Sequence, residues 1–262
     1  MAVPDAGSHQ EPTPGPPELA PPALFERLRG IPGMERGRRR LVLLWPQLGD
    51  FDSLEYAQLL AEALPRLERA GIAVQAIGIG QEAGRQRFCA FTGFPLDRLQ
   101  VEADADLHRG LGLYEGLKGF GGPWPNLLLM CAGIGSPGTL AEVLRGYFGD
   151  RTAPQRIADD ATIQAGPLPP IQGALFRRAG GSGFQRPFEL ATIRLRNMGE
   201  VLARWRTYVP RDNFLCQRGG TFLLDSDDAL LYAHRDCGIL GFSATMNRPL
   251  AFLDPWLPPA QG

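Results

Sequence analysis

The chain has 262 residues, 44% of them hydrophobic and 21% charged, enough to bury one large core without forcing a second domain. A formal net charge of -1 gives no general reason to expect nucleic acid or an anionic membrane as partner. Four scattered cysteines, no C-x-x-C pair and three scattered histidines argue against a structural zinc site, so neither metal nor cofactor is expected.

Residues 1–22 are proline-rich and lack the basic stretch followed by an apolar run that marks a secretory leader. They read as a disordered tail on an intracellular protein, with one domain over 23–262. The interrupted basic run Arg36, Arg38, Arg39, Arg40 reads as a solvated approach to a strand. LVLLW (41–45) is a continuous apolar run of strand length, followed over 53–70 by apolar residues at helical spacing. Pro65 should bend or shorten that helix, and Gly71 should end it. IAVQAIGIG (72–80) is then a second buried strand, and the length of the connection requires parallel pairing. A helix over about 81–91, a third strand around 99–101 and a short helix over 105–111 continue an α/β order.

The rhythm fails after that. Residues 114–196 hold a Gly/Pro-rich stretch, one clear helical pattern from Thr139 to Tyr147 and a loop-rich run too long for a simple connection, so they read as a folded insertion. A helix over Met198 to Tyr208 precedes a hairpin made of TFLLD (221–225), a short polar turn and ALLYAHRD (229–236). No apolar run approaches the roughly 20 residues needed to span a bilayer, so no transmembrane segment is expected.

Three stretches look familiar. GDFDSLEYA (49–57) is similar to the G-C-x-x-C-R-x-E-A turn of the peroxiredoxin-like proteins of the alkyl hydroperoxide reductase and thiol-specific antioxidant group. FCAFTGFPLDRLQVEADADLHRGLGL (88–113) and RGGTFLLDSDDALLYAH (218–234) resemble that group's middle and late motifs. The resemblance covers roughly 41–112 and 216–236 and looks most like a cyanobacterial or plastid-type subgroup. It implies a thioredoxin-like fold, here carrying a large insertion and a C-terminal extension that matches no motif of the group.

On that alignment Asp50 and Ser53 occupy the two C-x-x-C positions. Peroxide is attacked by a thiolate, and neither a carboxylate nor an unactivated hydroxyl replaces it, so peroxidase chemistry does not carry over at this turn. The resemblance also implies an arginine three residues before Phe222, where this chain has Gly219, with Arg218 one residue earlier. Locally, Asp52 and Glu55 have capping-box spacing, which would make Asp52 the helix cap and Ser53 the first helical residue.

The candidate binding surface is therefore Gly49, Asp50, Phe51, Arg218, Gly219, Gly220 and Thr221. The candidates for a relocated thiol are Cys89, Cys216 and Cys237, and continuing the hairpin register would place Cys216 beside Cys237. Gly78, Gly80 and Gly84, with Glu102 and Asp104 downstream, superficially suit a dinucleotide fingerprint, but they follow the second strand, and tight packing is the simpler reading. His108 and His234 read as a surface and a strand histidine. The leading expectation is a binding or assembly module that has lost the peroxidatic thiol and holds a protein partner. The alternative is a thiol-dependent antioxidant oxidoreductase. The expected location is the cytoplasm, free or peripheral to a membrane complex.

Overall fold

The central strand, β1, is Arg39–Gln47, whose alternate side chains feed two cores. Leu41, Leu43 and Trp45 enter one cluster, Val42 and Leu44 the other. Burial on both faces explains why the run is apolar throughout instead of alternating. A computed structural model describes residues 19–165 and 168–258 of the chain.

On one face of the sheet lie α2 (Phe51–Arg69) and α3 (Glu82–Thr92); on the other, α1 (Pro22–Leu28) packs Leu24 and Leu28 against Val42, Leu44 and Phe222. Strands β2 (Ile72–Ile79) and β3 (Leu99–Glu102) extend the sheet in parallel, and α4 (Asp106–Gly110) follows. After the middle segment come β6 (Gly220–Leu224), antiparallel to β1, and β7 (Leu230–Arg235), antiparallel to β6. The strand order β3-β2-β1-β6-β7 is that of a thioredoxin-like fold.

Between β3 and β6 lie α5 (Pro123–Cys131), α6 (Thr139–Phe148), the small β4 (Thr162–Ile163) and β5 (Ile171–Gln172) pair, α7 (Gly173–Gly180), α8 (Glu189–Ala203) and α9 (Trp205–Tyr208). The middle of this segment is fastened by the fully buried Arg186, which pairs with Glu189 at 3.1 Å and Asp159 at 2.5 Å.

Several local expectations change. The helix after β1 runs through Pro65 to Arg69, because a proline one turn from the end costs little of the hydrogen-bond ladder. The helix expected over Met198 to Tyr208 is two, separated at Arg204, whose φ of -134° is not helical. Arg39 and Arg40 belong to β1, and Arg40 is buried, donating to the Asp225 carbonyl at 3.1 Å and pairing with Asp228. His108 is fully buried, its Nε2 2.9 Å from the Trp45 carbonyl oxygen, which corrects the surface reading. Of the expected tail, residues 1–18 lie outside the described residues; Leu19 bridges to Ala229, Ala20 is buried, and Pro22 opens α1.

The glycines Gly78, Gly80 and Gly84 have a packing explanation. A Cβ at Gly78 would sit 2.7 Å from Leu48, and one at Gly84 2.6 Å from the Thr207 carbonyl oxygen. The acidic residues downstream are also occupied: Glu102 pairs with Arg27, and Asp104 accepts from the Asp106 N–H.

Candidate functional site

The turn between β1 and α2 is closed by Asp50, and here the structure corrects the sequence reading. Asp50 is the N-cap: one carboxylate oxygen accepts from the Ser53 backbone N–H at 3.1 Å and from the Ser53 hydroxyl at 3.0 Å. Ser53 is therefore the third helical residue. Asp52, expected as the cap, is buried and accepts from the Gly241 N–H at 2.8 Å, while Glu55 accepts from Arg194 at 2.8 Å.

The second Asp50 oxygen accepts from Arg218 at 3.0 Å. Arg218 is 2% exposed and also donates to the carbonyls of Cys216 and Leu215, at 3.2 and 3.3 Å. Arg218 is placed by its neighbours. Its N–H bonds the Tyr114 carbonyl, and Gly219 follows with backbone so close to β1 that a Cβ would lie 2.2 Å from the Leu44 oxygen. The Gly219 N–H donates to Asp236 at 3.2 Å, just past the end of β7.

Three acids thus surround one buried guanidinium. Burial pushes the Asp236 carboxyl up to about 8, with Arg218 opposing the shift. Burial, reinforced by the neighbouring Asp50 charge, also holds Asp52 well above the usual carboxylate range.

The C-terminal extension folds across this corner, which no motif foretold. Besides the Gly241 contact with Asp52, Phe242 stacks on Tyr56 with ring centroids 4.5 Å apart, and the Tyr56 hydroxyl is 3.1 Å from the Thr221 hydroxyl. Beside the turn is a small, largely apolar hollow of about 80 Å³ lined by Asp50, Phe51, Leu127, Cys131, Trp205 and Arg218, among others. It suits one side chain, whereas drug-sized ligands occupy roughly 300 Å³ or more. A larger hollow of about 430 Å³, beside Met34, Arg38 and Asp97, gathers no nucleophile.

The residues expected from sequence divide clearly. Gly49, Asp50, Phe51, Ser53, Arg218 and Gly219 meet at the turn; Gly220 and Thr221 continue into β6 beside it. Of the relocated-thiol candidates, Cys216 borders this group, its carbonyl accepting from Arg218 at 3.2 Å. Cys89 is buried in the main core, and burial pushes its thiol up to about 11. Cys216 is buried with its thiol 3.5 Å from the Pro123 oxygen, and burial raises its pKa.

Cys216 and Cys237 form no disulfide, the first being a buried free thiol and the second an exposed one. The β6–β7 pairing ends at Gly219 and Asp236, because Arg218 turns away to bond Tyr114 and Gln217 closes a turn onto Phe214. The cysteine nearest the turn is Cys131, which sequence reasoning passed over. It lies at the end of α5 on the wall of the hollow, where burial raises its thiol pKa and Arg218 partly opposes the rise. Its only sequence signal was its place in an apolar run inside a segment left unassigned.

Fold and site together define a thioredoxin-like α/β protein whose central helix opens on a carboxylate, Asp50, held by a buried arginine. The chain matches the family model "AhpC/TSA antioxidant enzyme" over residues 59–238, well over half its length, and it belongs to that family. The match begins inside α2, past the turn. Comparison with curated proteins and with solved structures found no match. Among the described residues no helix is long and apolar enough to cross a membrane.

Proposed function

We propose that this chain is an AhpC/TSA family member without a peroxidatic thiol, acting as a binding or assembly module that holds a protein partner at the former active-site turn. One observation carries this reading: the Asp50 carboxylate, at the position the resemblance assigns to the first cysteine, is already held by Arg218 at 3.0 Å. A carboxylate so placed has no sulfur electrons with which to open a peroxide bond. The hollow beside it, walled by Phe51, Leu127 and Trp205 with the Arg218–Asp50 pair at one end, suits an apolar side chain offered by a partner.

The experiment combines two measurements on the full chain. Hydrogen peroxide and organic peroxides should be reduced no faster than by an unfolded control of equal thiol content. Capture from native cell extract should retain a partner that Phe51→Ala or Trp205→Ala releases. Saturable, reductant-driven turnover abolished by one Cys→Ser change would overturn the reading.

A second reading, the thiol oxidoreductase, is favoured by one specific observation: Cys131 lines the same hollow as Arg218. Turnover lost in Cys131→Ser alone would select it. Turnover lost only in Cys89→Ser, Cys216→Ser or Cys237→Ser would select the version expected from sequence.

A further inference from the structure

The middle segment presents an apolar face that nothing in the described chain covers. Residues 119–141 contain no Asp, Glu, Lys or Arg, yet they form surface: α5 and the start of α6, joined by a glycine-rich turn. On α5, Trp124, Leu128 and Leu129 are exposed, while Asn126 and Met130 point inward. On α6, Leu140, Leu144 and Phe148 fall on one stripe at i, i+4 and i+8, and Gly146 is buried against α8. The charges of α6 are turned inward: Glu142 accepts from Arg145 at 2.6 Å and from Arg194 at 3.1 Å.

We infer that this helical hairpin is a self-association surface, and that its occupant is a second copy of the chain. Area is the first argument. These six side chains with Ile134 and Tyr147 range from 40% to 74% exposed, which at roughly 200 Å² for a large side chain gives an apolar surface on the order of 800 Å². A standard interface buries about that much from each partner.

Charge is the second argument. A two-fold interface sets a patch against itself, so any charge near its centre faces a like charge, and an uncharged stretch avoids that repulsion. A lipid surface is the poorer fit. Helices that lie on membranes carry Lys and Arg along their polar face to meet anionic headgroups, and here the nearest lysine, Lys118, pairs with Glu115 at 2.9 Å.

Two copies meeting on this face bring four helices together. Leu127 and Cys131 lie on the flank of α5 next to Trp124 and Leu128 and line the hollow beside Asp50, so the helix that would meet the second copy is also a wall of the candidate site.

Sedimentation velocity on the full chain, from sub-micromolar to tens of micromolar, tests this. The wild type should approach twice the chain mass. Leu128→Glu and Leu144→Glu, each placing an acid against its own copy, should weaken association on the order of 100-fold or more while their thermal unfolding at equal protein concentration stays cooperative. Because both positions are exposed, at least one variant should fold, and the wild-type mass decides independently. A wild type that stays monomeric throughout, or variants that associate as tightly as wild type, would overturn the inference. A monomeric wild type that floats with phosphatidylcholine vesicles would overturn it in favour of a lipid surface.

Discussion

Arg218 and Asp50, 168 residues apart in the chain, meet at 3.0 Å across the start of α2, and this one contact joins the late strand to the turn that opens the helix. The guanidinium is 3% exposed and the carboxylate 10%, so each is the other's main compensation for leaving water.

Arg218→Met should leave Asp50 a poorly compensated buried charge and cost on the order of 3–5 kcal/mol in urea denaturation. The double variant Arg218→Met with Asp50→Asn should recover a good part of that loss. Strict additivity of the two single changes would show that the residues do not compensate each other.

Replacing the cap by a thiol tests whether the corner still favours an anion. With the four native cysteines replaced, the thiol of Asp50→Cys should titrate below the ordinary value of ~8.5, because Arg218 and the helix N-terminus stabilise the thiolate. Ser53→Cys, beside the retained Asp50 carboxylate, should be depressed less. Alkylation rates measured against pH would report both, and two ordinary thiols would contradict the described geometry.

Stability should respond to pH in two opposed ways. Asp236 titrates at about 8 in the fold against an ordinary 3.8, through burial, so the folded chain holds a proton the unfolded chain has lost. Its contribution is complete at acid pH and lost as pH rises through about 8, and Asp52 acts in the same direction. His108 is held at about 4 by burial, so its contribution is complete above 6.5 and lost as pH falls through about 4, on the order of 3 kcal/mol. Asp236→Asn should therefore gain on wild type between pH 5 and pH 8 in chemical denaturation. A difference independent of pH would contradict the buried neutral carboxyl.

The four thiols should separate by rate. Cys131 and Cys237 are exposed, whereas Cys89 and Cys216 are buried; exposure is what separates them, because burial raises the thiol pKa of Cys131 as well as those of Cys89 and Cys216. Native-state labelling followed by peptide mapping should find two fast sites and two slow ones. Fast labelling of Cys89 would contradict its place in the core.

Phe242→Ala should cost about 3–5 kcal/mol, since the side chain is 3% exposed and stacks on Tyr56. Thermal unfolding checks it, and a neutral outcome would mean that the C-terminal extension does not hold the corner.

How far the sequence announced these features depended on whether local rules or distant contacts decided them. β1 and β2 were legible because strands buried on both faces must be apolar throughout, and Gly71 and the polar turn before β7 marked real ends. Asp50 and Asp52 were confused as caps because both suit a helix start; only Arg218 and Gly241, far along the chain, distinguish them. The extension from 237 onward has no periodicity to read. It is fixed by single contacts such as Ser136 with Ile239 and Asp52 with Gly241, which leave no spacing in the sequence. His108 was misplaced for the same reason: a five-residue helix has no face that predicts burial.

The carboxylate at position 50 has a consequence for signalling chemistry. A thiol on such a turn gains and loses charge as oxidants and reductants come and go, and its doubly oxygenated form, the sulfinate, is an anion with two oxygens on one atom. The Asp50 carboxylate likewise has two oxygens on one atom, and Arg218 holds one of them at 3.0 Å. On the proposed reading, whatever meets this ion pair meets the same two groups under oxidising and reducing conditions, and a response of the corner to peroxide would have to come from Cys131 on the wall of the hollow.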